Sequence, residues 1–363
     1  GMSRVIKKLE GKDILLIPVV MLLFSIGGTS FGMSEEALPF YAIFMPIIMS
    51  LGYDSMTPFM VCFLGPQMGY IGSTVNPFNV LIAQGVAGIQ GNPQLWFRFI
   101  QYATFTIIGI VWVMMYARKV KKNPTGSITY QDDLAKREEF AVDSVDSDMP
   151  FTLRQKLVLI VFGVGMGVIV WSLVTKGWYM DEISMVFLAI GLLSGIVGGL
   201  GEKEMANEFV KGMADFAYAA VIIGIARGIL VVAEGGMIID TILNALANML
   251  AGVPTAVFTT LMYFVQALLS ILVPPSSGLA ALTMPVMAPL TDLMGVNPEA
   301  SVTALCIANQ TMNTISPTAG MTVASLAVCK ISFPQWWKTC WKFMIVVVVV
   351  GLVFTAISGM LPA

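Results

Sequence analysis

Apolar residues fill the chain in blocks, and the breaks between the blocks carry the information. Residues 13–26 are apolar, 27–36 interrupt them with Gly, Ser and Glu, and 37–51 are apolar again up to Gly52-Tyr53-Asp54. Each arm falls short of the ~20 residues that a helix needs to cross a bilayer. Two short arms about a polar tip predict a re-entrant hairpin. Residues 55–90 are apolar except for Ser73-Thr74-Val75-Asn76-Pro77 in the middle, which predicts two half-helices. Such a break is tolerated at membrane depth only where it is buried in protein or lines a wet cavity. Residues 94–117 form a full span with Trp96 and Tyr116 as interfacial anchors.

The mixed-charge stretch 118–156 reads as a flexible linker. Three spans follow, at 157–175, 183–200 and 212–233, and then an amphipathic arm at 236–251. That arm resembles 2–12, which predicts a helix lying in the interface. Residues 254–272 and 279–294 flank a second tip, Val273-Pro274-Pro275-Ser276-Ser277-Gly278. A second break, Asn313-Thr314-Ile315-Ser316-Pro317, falls within 300–328, and 338–360 is a final span.

The two halves therefore match: arm, hairpin, broken helix, span. Pro46 precedes Gly52 as Pro289 precedes Gly295. The organisation read from this is a partial first repeat at 1–117, a cytoplasmic linker at 118–156 and a second repeat at 157–363. Three spans open the second repeat and none opens the first. The expectation is a first repeat truncated at its N-terminus by on the order of 80 residues. With the linker in the cytoplasm, all 20 basic residues except Arg98, Lys176 and Arg227 fall on the inside. The positive-inside rule thus supports re-entrant hairpins entering from opposite faces.

Composition agrees. Of 363 residues, 57% are hydrophobic and 12% charged, against about 25% charged in soluble domains. The fold class is an all-α polytopic membrane protein. A net charge of −2 without a basic patch speaks against a nucleic-acid partner. The lack of histidine removes imidazole relays, His-ligated metals and His-based triads. Cys62, Cys306, Cys329 and Cys340 have no CxxC spacing and read as small buried hydrophobes.

The candidate site follows from the breaks and tips. Ser30, Ser34, Glu35 and Glu36 at the first tip form an acidic group that is expensive inside a membrane unless it binds a cation, is protonated or meets Arg. With Ser73, Thr74, Asn76 and Asn79 of the first break they are the candidate coupling-ion ligands. Hydroxyls and free N–H groups at a half-helix N-terminus suit a carboxylate. Ser276, Ser277 and Gly278, with Asn309, Thr311, Asn313, Thr314 and Ser316 of the second break, are the candidate substrate ligands. Arg227, alone and basic within a span, is a further candidate for an anionic substrate or for an ion pair with Glu234. The bland alternatives are helix caps at the tips and interhelical hydrogen bonding at the breaks. No cofactor is expected, and no metal beyond Na⁺, with Na⁺ or H⁺ as coupling ion.

On Ser30 to Asp54, Gly72 to Asn79, Ile223 to Leu243 and Pro274 to Gly295, the chain resembles the YfcC family. That family is described as basic amino acid antiporters related to DcuC-type C4-dicarboxylate carriers. They share a superfamily with AbgT-type transporters and divalent-anion/sodium symporters. The resemblance implies an inverted-repeat transport domain of two hairpins and two broken helices. It implies an elevator-like motion against a scaffold that forms a homodimer. Ala308-Asn309 departs from the Gly-Asp pair of related sequences, and the tips lack the Ser-Asn-Thr signature of the dicarboxylate symporters.

The expected function is secondary transport of a small charged metabolite across the inner membrane, an amino acid by antiport or cation coupling, with a C4-dicarboxylate as the alternative. A channel fits two opposed hairpins less well than alternating access does. An intramembrane enzyme fits less well again: there is no His for a serine protease and no HExxH, and Gly212-Met213-Ala214-Asp215 is not the aspartyl GxGD pattern.

Overall fold

The computed structural model describes residues 13–139, 152–176, 180–238 and 253–361, with Thr241, Ala245 and Asn248. Every regular element among them is helical. Both interfacial arms, at 2–12 and 236–251, lie wholly or largely outside the described residues.

The first set of helices is α1 (Leu16–Phe31), α2 (Leu38–Ser50) and α3 (Met56–Ile71). A π-turn (Pro77–Leu81) then runs into α4 (Ile82–Val86), and α5 (Leu95–Lys122) follows. After α6 (Tyr130–Glu139) come α7 (Leu153–Lys176), α8 (Met180–Gly198) and α9 (Glu202–Gly235). The second set is α10 (Thr255–Leu272), α11 (Ser276–Leu293), α12 (Glu299–Ile315), α13 (Gly320–Val328) and α14 (Phe333–Met360). Among the described residues, α5 and α14 are long and apolar enough to cross a membrane.

Two compact units result. One holds α7, α8 and the first part of α9; the other holds the remaining described helices. Within the first unit α7 packs on α8. Gly165 makes room for Ile190 there.

In the second unit the packing of the first set recurs in the second. α1 lies on α3 and α5, as α10 lies on α12 and α14. α2 lies on α3 as α11 lies on α12, and α3 on α5 as α12 on α14. The short second pieces cross over: α4 packs on α11 and α12, and α13 on α2 and α3. The turns after α2 and α11 use equivalent glycines, Gly52 (φ 89°) and Gly295 (φ 65°), in the left-handed region that L side chains avoid. Phe59 and Phe63 of α3 stack on each other and meet the fully buried Trp336 of α14 edge-on.

Several boundaries differ from the sequence reading. α1 continues through Gly27–Phe31, so the first tip is shorter than expected. Ser276–Gly278 form the first turn of α11 rather than a loop, because Pro275 holds the extended backbone that precedes a helix. The second break is Ser316–Ala319, with Asn313 and Thr314 still in the last turn of α12. α9 is continuous from Glu202, with no proline to stop it.

The stretch read as a flexible linker is helical over α6 and docked. Asp133 accepts from Ser55 N (2.9 Å) and Thr129 Oγ1 (2.9 Å). Lys136 donates to Ser55 Oγ (3.0 Å) and Arg137 to Tyr53 O (3.3 Å). Burial pulls the Lys136 ammonium below the ordinary lysine value, with the Asp133 carboxylate at 3.7 Å opposing that shift.

Candidate functional site

A broken helix leaves backbone N–H and C=O groups without partners, and a buried break must find them elsewhere. At the first break α1 supplies them. Thr29 O accepts from Thr74 N (3.3 Å) and Val75 N (3.4 Å), and Thr29 Oγ1 donates to Gly72 O (3.0 Å). Asn76 caps the next piece: its Oδ1 accepts from Phe78 N (2.8 Å) while its Nδ2 donates to Gly28 O (3.1 Å). Ser73 donates to Tyr70 O (2.5 Å) and accepts from Asn79 Nδ2 (2.9 Å). α1 can come this close because two glycines face backbone across the contact. A Cβ on Gly28 would run into the Pro66 carbonyl, and one on Gly69 into that of Ser25.

At the first tip, Ser34 N donates to Glu36 Oε2 (2.9 Å), and Glu36 is buried while Glu35 is half-buried. Ser30 Oγ donates to Ile26 O (2.5 Å) on its own helix.

The second tip and break meet through a fork. Asn309 and Asn313, one turn apart on α12, both donate Nδ2 to Pro274 O, at 3.0 and 2.9 Å. Asn309 Oδ1 accepts from Asn313 Nδ2 (3.2 Å) and Gln310 Nε2 (3.0 Å). Gln310 Nε2 also reaches Ser276 Oγ (3.3 Å). The Ser276 and Tyr70 hydroxyls share a hydrogen bond of 3.0 Å, which ties the second tip to the end of α3 just before the first break. Asn313 Oδ1 is buried with no partner among the described residues. The last carbonyls of α12 are covered: Trp336 Nε1 donates to Thr314 O (2.9 Å) and Thr322 Oγ1 to Asn313 O. Ser316 shares a hydrogen bond of 2.6 Å with Thr318, which donates to Ile271 O (3.0 Å).

The sequence-predicted residues thus fall into groups. Ser276, Asn309 and Asn313 converge on the second tip, with Ser277 half-buried and Gly278 exposed beside them. Thr314 donates to Gln310 O (2.8 Å), and Thr311 lies beside Tyr263 of α10. Ser73, Thr74, Asn76 and Asn79 gather at the first break. The Arg227 side chain lies outside the described residues.

Sequence reasoning missed Thr29, Tyr70, Gln310, Thr322 and Trp336. Thr29, inside the polar stretch at 27–36, and Gln310, beside Asn309, carried a visible polar signal. It also missed a buried ion pair. Arg98 of α5, expected at the outer surface, donates Nη2 to Glu299 Oε2 at 2.5 Å with both side chains 1% exposed. Gln84 of α4 donates to Glu299 Oε1 (2.6 Å). Glu299 starts α12, where the helix dipole favours an anion.

A helical membrane protein with two helices broken at matching places, each break fastened to a helical turn, is a transporter scaffold. The chain matches the family of C4-dicarboxylate anaerobic carriers, DcuC, over residues 1–359, and it belongs to that family. It is 37% identical over 349 residues to "Putative basic amino acid antiporter YfcC" of Escherichia coli (strain K12), covering 93% of this chain and 68% of that one. It is 35% identical over 343 residues to an uncharacterized protein of Haemophilus influenzae, with 93% and 66% covered. The chain thus spans about two thirds of the length of these relatives.

Among solved structures, MtrF of Neisseria gonorrhoeae, described as illuminating a class of antimetabolite efflux pumps, shares the fold. Its TM-score is 0.52 at 18% identity, over 99% of this chain and 78% of that one. The YdaH transporter of Alcanivorax borkumensis, described as having an unusual topology, gives 0.49 at 13% identity over 98% and 80%. The family is described as a carrier and the named relative as an antiporter.

Proposed function

We propose that this chain forms the transport unit of a secondary carrier. It moves a small charged metabolite across the inner membrane, a basic amino acid by antiport or cation coupling, through an elevator-type motion of a dimer. The observation that carries this reading is the Asn309–Asn313 fork on Pro274 O, linked through Ser276 to Tyr70. One hydrogen-bonded cluster joins a helical turn, one broken helix and the threshold of the other.

In this reading α1–α2 and α10–α11 are re-entrant hairpins of an inverted repeat. The first-turn N–H groups of α11 and the Ser276 and Ser277 hydroxyls receive the substrate carboxylate. Asn313 Oδ1 accepts from its ammonium. Ser30, Ser34, Glu35 and Glu36, with the first break, hold Na⁺ or H⁺ or the cationic side chain.

The family description favours a C4-dicarboxylate instead. A dianion calls for cations, yet the two tips (30–36, 273–278) and the two breaks (72–80, 309–319) contain no Lys or Arg, and the first tip contains two glutamates. That charge balance places the basic amino acid first.

Counterflow into proteoliposomes tests the proposal. Vesicles loaded with unlabelled arginine or lysine should accumulate the labelled amino acid saturably. Saturable exchange of a C4-dicarboxylate alone would move the assignment to the family's named substrate. An unsaturable conductance would overturn the carrier.

A further inference from the structure

One charged feature has no part in the transport cluster. At the C-terminal end of α5 an open hollow of about 390 Å³ is lined by Ile14, Tyr53, Arg118, Lys121 and Lys122. Lys121 Nζ lies 4.9 Å from the centre of the Tyr53 ring. Among the described residues no carboxylate pairs with Arg118 or Lys122. The neighbouring Asp54 carboxylate is engaged elsewhere, accepting from Thr57, Tyr116 and Ser127. Three cations thus border one concavity with an aromatic wall and an apolar contact at Ile14.

Cations at a helix C-terminus are favoured by the dipole, and on a cytoplasmic face by the insertion rule. Neither effect requires a hollow with Tyr53 and Ile14 in its wall. What lies next to it decides the ligand. From Ile14 the exposed side chains of Leu15, in the turn before α1, and of Val19 and Leu23 in α1 follow one another. From Arg118 the exposed Met115, Val111 and Ile107 follow down α5. α1 and α5 pack side by side, so the basic hollow sits at the head of two exposed apolar faces. That arrangement matches an amphiphile with an anionic head and acyl chains. Basic pockets between membrane helices on the cytoplasmic side bind lipid headgroups in this way.

We propose that this hollow binds the phosphodiester headgroup of an anionic phospholipid. Arg118 and Lys122 hold the phosphate oxygens, Lys121 stands over Tyr53, and the acyl chains lie on the exposed faces of α1 or α5. The inference rests on the membrane placement of the chain and not on the transport reading, and its test needs no transport assay.

The test uses the full chain in a neutral detergent, titrated with phosphatidylglycerol, phosphatidylcholine or inorganic phosphate. Binding is followed by native mass spectrometry and by the shift in unfolding temperature. Each cation near a membrane surface contributes about fivefold in affinity. The double variant R118Q/K122Q should therefore bind phosphatidylglycerol about 25-fold more weakly. The double variant K338Q/K342Q removes the same charge at the start of α14 and should bind like wild type. Three results would overturn the site. They are equal binding of phosphatidylcholine, equal losses in the two double variants, and displacement of the lipid by inorganic phosphate at matching concentration. The last would assign the hollow to free phosphate.

Discussion

Asn309 and Asn313 do different work although both hold Pro274 O. Asn309 is fully buried, donating to Pro274 and accepting from Gln310 and Asn313. Asn313 keeps a carbonyl oxygen in reserve. Asn309→Ala should therefore destabilise the protein by about 1–3 kcal/mol, because it strands neighbouring donors. Asn313→Ala should leave the fold intact, since Asn309 still holds the tip, while uptake falls about tenfold or more. Unfolding temperature in detergent and uptake in proteoliposomes separate the two. Wild-type uptake in Asn313→Ala would remove Asn313 from the site.

Arg98 and Glu299 invite a second residue-scale test. Breaking a buried pair from one side leaves an uncompensated charge, at a cost of about 3–5 kcal/mol. Arg98→Met or Glu299→Leu alone should lower stability by that order, and the two together should recover most of it. A double variant as unstable as the sum of the singles would show that the pair is not a unit. No pattern in the chain announces this contact, because its partners are 201 positions apart and each reads locally as a charge near the end of an apolar segment.

At the scale of elements, both breaks were legible and their fastenings were not. A Pro preceded by Asn or Ser in an apolar run marks where a helix must stop. It does not say which element satisfies the freed groups. At the first break that element is the last part of α1, whose Thr29 falls in sequence within the polar stretch read as the first tip. Thr29→Val keeps the shape and removes the hydroxyl that joins Gly72 O to Thr74. Uptake should drop at least as far as in Asn313→Ala, with a stability loss of about 1–3 kcal/mol. Unchanged uptake would mean the first break holds itself. α6 was hidden for another reason. Its charges suggest a solvated segment, but Asp133 and Lys136 turn inward to bond the start of α3. Composition reports how many charges a segment has and not which way they face.

At the scale of the whole unit, the crossed packing of α4 on α11 and of α13 on α2 makes each half incomplete without the other. A sequence repeat can show that two halves match; only the fold shows that their second pieces are exchanged. The proposed inverted repeat would give the two tips equivalent roles on opposite faces, which cysteine labelling can test. Cys62, Cys306, Cys329 and Cys340 are all buried, so the native background should be silent to a membrane-impermeant maleimide. Ser277→Cys, in the half-buried first turn of α11, should react from outside, and Ser34→Cys, half-buried at the first tip, from inside. Saturating substrate should protect both positions in the same concentration range, since one cargo site bears on both tips. Labelling of Ser277→Cys and Ser34→Cys from the same face would contradict opposed hairpins. Protection of one position without the other would confine the cargo to a single half.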